Sequence, residues 1–125
     1  MGTGGTMETK ITRLYTGPDS KSHFEDINVP IDQLNRVGNH HSKVMKATGI
    51  YFSVSNPDFY IDWHNAPGRR LIITLEGKNE LEASDGTKRQ FGPGDIILAE
   101  DTTGQGHISR TLGHKPRKIL FITLD

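Results

Sequence analysis

The sequence predicts an all-β fold, an antiparallel sandwich or barrel of about ten or eleven short strands, and three observations carry that expectation. Apolar residues recur with a period of two rather than 3.6, the alternation of half-buried strands. Turn signals return at intervals of roughly 8–12 residues, a spacing that suits all-β domains. Glycine is abundant, with 14 Gly and 6 Pro among 125 residues, against a usual glycine share of about 7%; both residues supply the dihedrals that tight turns need.

Taken in order, residues 11–15 are the first candidate strand, and Gly17, Pro18, Asp19 and Ser20 make the turn after it. In 24–31, Phe24, Asp26 and Asn28 alternate with Glu25, Ile27 and Val29. Pro30 has no N–H to give a ladder and marks an edge. Residues 32–43, with Gly38, Asn39, His40 and His41, read as a loop holding one helical turn. A strand over 50–54 follows, then a turn at Asn56, Pro57 and Asp58, then a strand over 59–64 ended by Ala66, Pro67 and Gly68. The apolar run at 70–75 is a strand, and residues 76–79 are expected to make a hairpin into another over 80–83. Asp85-Gly86 is a hairpin signal leading into 87–91, and Gly92, Pro93, Gly94 and Asp95 turn the chain into 96–99. A polar, glycine-rich loop over 100–106 precedes strands at 107–112 and 117–124. At roughly 150 residues per domain this is one domain, 11–125, behind a flexible leader over 1–10.

Charge removes several functional classes. Fifteen Lys and Arg balance fifteen Asp and Glu, and the pI is about 7.0. Binding driven by nucleic-acid phosphates calls for a basic surface, so no nucleic-acid partner is expected. There is no cysteine, hence no disulfide, thiolate metal site or cysteine nucleophile. No apolar run reaches membrane-spanning length, and residues 1–6 lack the apolar core of a secretory signal. The expectation is a cytoplasmic protein without membrane contact. Zero net charge removes repulsion between copies and favours self-association.

Two motifs then resemble those of the cupin family. Its first motif runs Gly-x5-His-x-His-x(3,4)-Glu-x6-Gly. His64 stands at the first histidine and Gly77 at the closing glycine, but Ala66 replaces the second histidine, Arg70 the glutamate and Asp58 the opening glycine. The second motif is met at Gly94 and, after a longer loop, at His107, with Thr111 at its asparagine position. The run from Phe91 to Asp95 is similar to the family's inter-hairpin turn, and the likeness extends over residues 44–124. Around 62–67 and 99–107 the chain is similar to small single-domain cupins of unassigned function. The resemblance implies a single cupin jelly-roll β-barrel, a double-stranded β-helix, often homodimeric, with a small-molecule ligand. It implies little about the reaction, because the fold hosts many chemistries.

Cupins commonly hold a divalent transition metal with histidines and a carboxylate, a donor set suited to iron, manganese, zinc or nickel. Arg70 stays protonated and cannot ligate. At 4 Å and an effective dielectric near 20, a unit charge pair is worth about 4 kcal/mol, and a divalent ion beside Arg70 would feel roughly twice that as repulsion. The favoured reading therefore needs no cofactor. His64 and His107 form an acid/base pair near neutral pH. Asp62, two residues before His64 and on the same face of a regular strand, orients His64 or acts as base. Arg70 anchors an anion or steadies an enolate oxygen; Tyr60, again on that face, and Glu100 complete the substrate contacts. The reactions that fit are dehydration, isomerisation or epimerisation beside a carbonyl, on a small polar carboxylate or sugar. Two alternatives stand beside it: a metal-dependent cupin, oxygenase or isomerase, with Asp62, His64 and His107 as ligands, and a non-catalytic module that binds a small anion. Phe59 and Trp63 are expected to point away from His64. Glu100 and Asp101 read first as a loop-capping pair, His40 and His41 as a lid or an adventitious metal site, and His114 as surface.

Overall fold

The computed structural model describes residues 7–125. The described residues contain no helix and twelve strands: β1 (Glu8–Thr16), β2 (Ser22–Pro30), β3 (Gln33–Leu34), β4 (His40–His41), β5 (Ala47–Ser55), β6 (Tyr60–His64), β7 (Arg70–Glu76), β8 (Lys78–Ala83), β9 (Lys88–Phe91), β10 (Ile96–Ala99), β11 (His107–Leu112) and β12 (Arg117–Leu124). Six form one sheet in the order β2-β1-β10-β7-β12-β5, and four form the facing sheet in the order β6-β11-β8-β9. These are the two walls of a jelly roll.

The core lies between one half of each wall. Leu14, Leu81, Ala83, Phe91 and Ile97 are buried together, with Phe24 and Ile72 packed against them. Phe24 on edge strand β2 faces Phe91 on edge strand β9 at 6.2 Å between ring centroids, and this contact closes the barrel along one side. Along the other side, where β7, β12 and β5 face β6 and β11, the walls stay apart and enclose a cavity. On β5, Ser53 and Ser55 turn inward while Ile50, Phe52 and Val54 are exposed, Phe52 at 70%. The outer face of that edge strand is thus apolar.

Four features depart from the sequence expectation. The expected leader partly lies outside the described residues; the rest of it is ordered, because Glu8, Thr9 and Lys10 ladder onto Pro30, Val29 and Asn28. The expected loop at 32–43 is a small two-stranded ladder, Gln33 with His41 and Leu34 with His40. Its tip is held by the Asn35 side chain, whose Oδ1 accepts from the backbone N–H of Val37 and of Asn39 at 3.0 Å each, a local bond that competes with helix formation. The expected hairpin at 76–79 does not form: β7 and β8 belong to opposite walls and do not pair, the chain crossing between them at Gly77 alone, at φ 79°, where a Cβ would meet Pro116 O at 2.7 Å. Finally, the sheets are not wholly antiparallel: β1 runs parallel to β10, with Thr12, Arg13 and Leu14 opposite Ile97, Leu98 and Ala99.

Candidate functional site

The cavity holds about 470 Å³, within the usual range for small-ligand sites, and its lining includes His64, His107, Arg70 and Arg117. The first two come from neighbouring strands, since β6 and β11 place His64 directly opposite His107. Their rings lie 4.3 Å apart between centroids, tilted by 54°.

A β-bulge aims His64. Along β11, two steps lead from His107 to Ser109, while along β6 three steps separate their partners His64 and Ile61. The extra residue reverses the alternation. Phe59 and Ile61 therefore line the cavity together with His64, whereas Tyr60, Asp62 and Trp63 do not. This corrects the expectation that Asp62 and Tyr60 share the face of His64 and that Phe59 opposes it. Tyr60 and Asp62 sit together on the outer surface, the Tyr60 hydroxyl donating to Asp62 Oδ1 at 3.5 Å. Asp62 reaches His64 only through its backbone: His64 Nδ1–H donates to the Asp62 carbonyl at 2.8 Å.

The carboxylate that meets the pair is Asp101. It is fully buried, and His107 Nδ1–H donates to its Oδ2 at 2.5 Å. A carboxylate on the far nitrogen fixes the tautomer and ring plane of an imidazole and leaves Nε2 as the free atom. The loop that carries Asp101 is tied on every side. The Asn65 amide faces the carbonyls of Asp101, Thr103 and Gly104 at 3.3, 2.9 and 3.1 Å. Ala66 N–H donates to Asp101 O at 3.2 Å, Thr16 Oγ1 to Thr103 O at 2.8 Å, and buried Ser22 Oγ to Gly106 O at 2.7 Å. Gly106 has φ 76°, and any Cβ there would fall on the carbonyl of His64. The glycines thus let the loop pack against β6. An acid in the polar stretch shortly before a motif histidine was the sequence signal for Asp101; only closure of the loop shows which of Glu100 and Asp101 turns inward.

Glu100 does not reach the cavity. It accepts from Arg13 Nε and Arg69 Nε, each at 2.6 Å. Burial acts to raise its carboxyl, but the two guanidinium hydrogen bonds overcome that and hold it below the ordinary range. Arg70 does reach the cavity, and carries no ion pair with Asp62 or Glu100. Its Nη1–H donates to the Tyr51 hydroxyl at 2.6 Å and its Nε–H to Gly68 O at 3.2 Å, and its guanidinium lies 5.7 Å from the centroid of Phe121. Burial pushes the His64 pKa down, and the neighbouring His107 adds to the effect against the Asp62 carbonyl, so His64 is neutral at pH 7.

The resemblance to cupins implies a metal, and the donor set can be compared with that role. Two imidazoles face the cavity. Ala66 offers nothing, Arg70 adds positive charge, Asp62 faces outward, and Asp101 is engaged on the far side of His107. Among the described residues no group of three or more His, Asp or Glu side chains stands together as a metal cage. The residues present do not fit a three-ligand centre. His40 and His41 sit on their own exposed ladder, and His41 Nδ1–H donates to Ser42 O at 2.8 Å.

No family model matches the chain, and no curated protein matches it. Among solved structures, the cupin domain of Cnp3 from Schizosaccharomyces pombe aligns over 98% of this chain and 86% of its own, at 9% identity and a TM-score of 0.50. Protein NMB1881 from Neisseria meningitidis aligns over 61% of this chain and 72% of its own, at 14% identity and a TM-score of 0.46. The conserved SPY1581 protein of unknown function from Streptococcus pyogenes aligns over 67% and 70%, at 15% identity and a TM-score of 0.46. With the two-walled topology, the likeness to the Cnp3 domain establishes an all-β cupin jelly roll. No helix among the described residues is long and apolar enough to cross a membrane.

Proposed function

We propose that the cavity is a site of metal-independent proton transfer beside a carbonyl group, on a small polar carboxylate or sugar-like molecule. The supporting observation is the imidazole pair, 4.3 Å between centroids, in which each Nδ1–H is already committed to an acceptor. The two Nε2 atoms remain for a ligand. Proton transfer between two such groups needs one imidazole free to accept at Nε2 and the other carrying a proton there. His64, kept neutral by burial, is the base. Its Nε2 takes a proton from the carbon beside the carbonyl as the electron pair moves onto the carbonyl oxygen. His107 supplies a proton to the returning carbon or to a leaving hydroxyl. Asp101 is a positioning residue that holds the His107 ring and offsets its charge. Arg70 steadies the enolate oxygen or seats the substrate carboxylate.

The test uses the full chain in D2O with a panel of keto acids, hydroxy acids and sugar aldehydes. Proton NMR then reads loss of the C–H signal beside the carbonyl. We expect exchange in at least one compound, slowed about 10²–10⁴-fold by His64→Gln or His107→Gln. Arg70→Met is expected to act mainly on KM. Binding without exchange by any compound would turn the reading into that of an anion-binding module. Exchange abolished by chelation and restored by iron or manganese would turn it into that of a metal enzyme. The same reading places the protein in the cytoplasm, where a chain without cysteine gives up no disulfide. It also seats a second copy on the apolar outer face of β5, with Ile50, Phe52 and Val54 exposed and no net charge to oppose pairing; sedimentation velocity checks this by a doubled mass.

A further inference from the structure

The closed end of the cavity is built differently from its mouth. On β12, Arg117, Ile119 and Phe121 line the cavity, alternating with Lys118, Leu120 and Ile122 on the outer face. Arg117 is 5% exposed. Its Nη2–H reaches Thr74 Oγ1 at 3.4 Å, while its Nε has no partner. The ion pairs among the described residues engage Arg13, Lys46, Arg69, Lys88, Arg89, Arg110 and Lys118, but not Arg117. Burial pushes its pKa down to about 10, which leaves it a cation at neutral pH.

Asn79 also lines the cavity. It is 1% exposed, and neither its Oδ1 nor its Nδ2 has a partner. Thr111, opposite Asn79 across the β8–β11 ladder, has an unpartnered Oγ1. Buried polar groups in proteins are nearly always paired, and unpaired ones cost stability. Here a buried cation and an amide with both functions idle stand in the wall of one cavity.

We propose that Arg117 and Asn79 form a second anion-binding site, at the closed end of the cavity, for a carboxylate or phosphate that carries a neighbouring hydroxyl. Anion oxygens accept from Arg117 and from Asn79 Nδ2–H, and Asn79 Oδ1 accepts from the hydroxyl, a match that an anion alone does not supply. Four residue steps along β11 lead from His107 to Thr111, about 13 Å of strand. A hydroxy acid held by Arg117 and Asn79 extends along β11 toward the imidazoles that line the same cavity. The inference deepens the proposed function and rests on its reading of the cavity as a ligand site.

The test compares thermal unfolding of the full chain with Arg117→Met and Asn79→Leu, each with and without inorganic phosphate or malate. Ligand bound to the folded state raises the melting temperature. We expect malate to stabilise the wild type more than phosphate does. Arg117→Met, freed of an unpaired buried charge, melts higher than the wild type without ligand and loses the malate-induced rise. Asn79→Leu weakens malate about 10-fold or more, and serves as the reading if Arg117→Met folds poorly. A wild-type malate response in both variants, or no stabilisation of the wild type by either anion, overturns the inference. Such a failure with carbon–hydrogen exchange intact leaves the chemistry at the mouth standing. Malate binding that depends on Arg117, without exchange, removes the proton transfer and keeps this site.

Discussion

At the mouth of the cavity, the imidazole nitrogens that face the protein have acceptors, and the loop behind them is tied by side chains from β1, β2 and the segment after β6. At the closed end, Arg117 has one long contact to Thr74 and Asn79 has none. At the mouth one buried atom, Asp101 Oδ1, lacks a partner, whereas at the closed end both side-chain polar atoms of Asn79 and the Nε of Arg117 lack one. The difference teaches what each end is for. Hydrogen bonds made before a ligand arrives hold reactive groups in position. Hydrogen bonds left unmade weaken the empty fold and are available to a ligand.

The largest test of this contrast is Gly106→Ala. The added Cβ falls on the His64 carbonyl at a φ of 76°, so backbone rather than a flexible side chain must move. We expect a loss of about 3 kcal/mol or more in urea unfolding, with exchange activity lost alongside. A loss under about 0.5 kcal/mol, the usual surface value, would mean that the mouth is loosely held. Next come Asp101→Asn and Arg117→Met, compared in the same urea experiment, which should move stability in opposite directions. The first disturbs the buried hydrogen bond between Asp101 Oδ2 and His107 and costs about 1–3 kcal/mol, and the second removes a buried charge with no ion pair and gains a similar amount. Shifts of the same sign would break the contrast.

The smallest effect is in pH dependence, where His64 contrasts with surface His23. The His64 pKa is lowered by burial. Between that lowered value and about 6.5 the unfolded chain binds more protons than the folded one. Its contribution is therefore complete above that range and lost as pH falls through it. The His23 pKa is raised by its hydrogen bond to Asp19, with Asp85 adding to it. Its contribution is complete below about 6.5 and lost as pH rises through the raised value. In melting curves taken from about pH 5 to 8, His64→Gln should flatten the acidic side and His23→Gln the alkaline side.

Most strands were legible because their ends are chemical. Asp85-Gly86 and the Gly92–Asp95 turn fix where β9 and β10 begin, and the alternation over 117–124 fixes β12. What escaped reading was non-local. Period-two alternation assumes an unbroken ladder, and the extra residue between Ile61 and His64 reverses it. That one insertion sent Asp62 and Tyr60 outward and brought Phe59 in. Glu100 was drawn from the cavity by Arg13, which reaches it only because β1 runs parallel to β10. Arg117 did leave a signal, a charged residue in the same alternation phase as Ile119 and Phe121. It gains meaning only when the facing wall shows no acid beside it.

The parallel pairing of β1 with β10 also bears on how the chain folds. Leu14 pairs with Ala99, and Ala47 with Leu124, so the large wall cannot assemble from neighbouring segments. The β8–β9 hairpin can form early and locally, whereas the six-stranded sheet must await the last strand. Pairing such distant segments raises the contact order and slows folding. During synthesis β1 can pair with β2 at once, but its other edge stays open until β10 has emerged, and an open edge is exposed to wrong pairing.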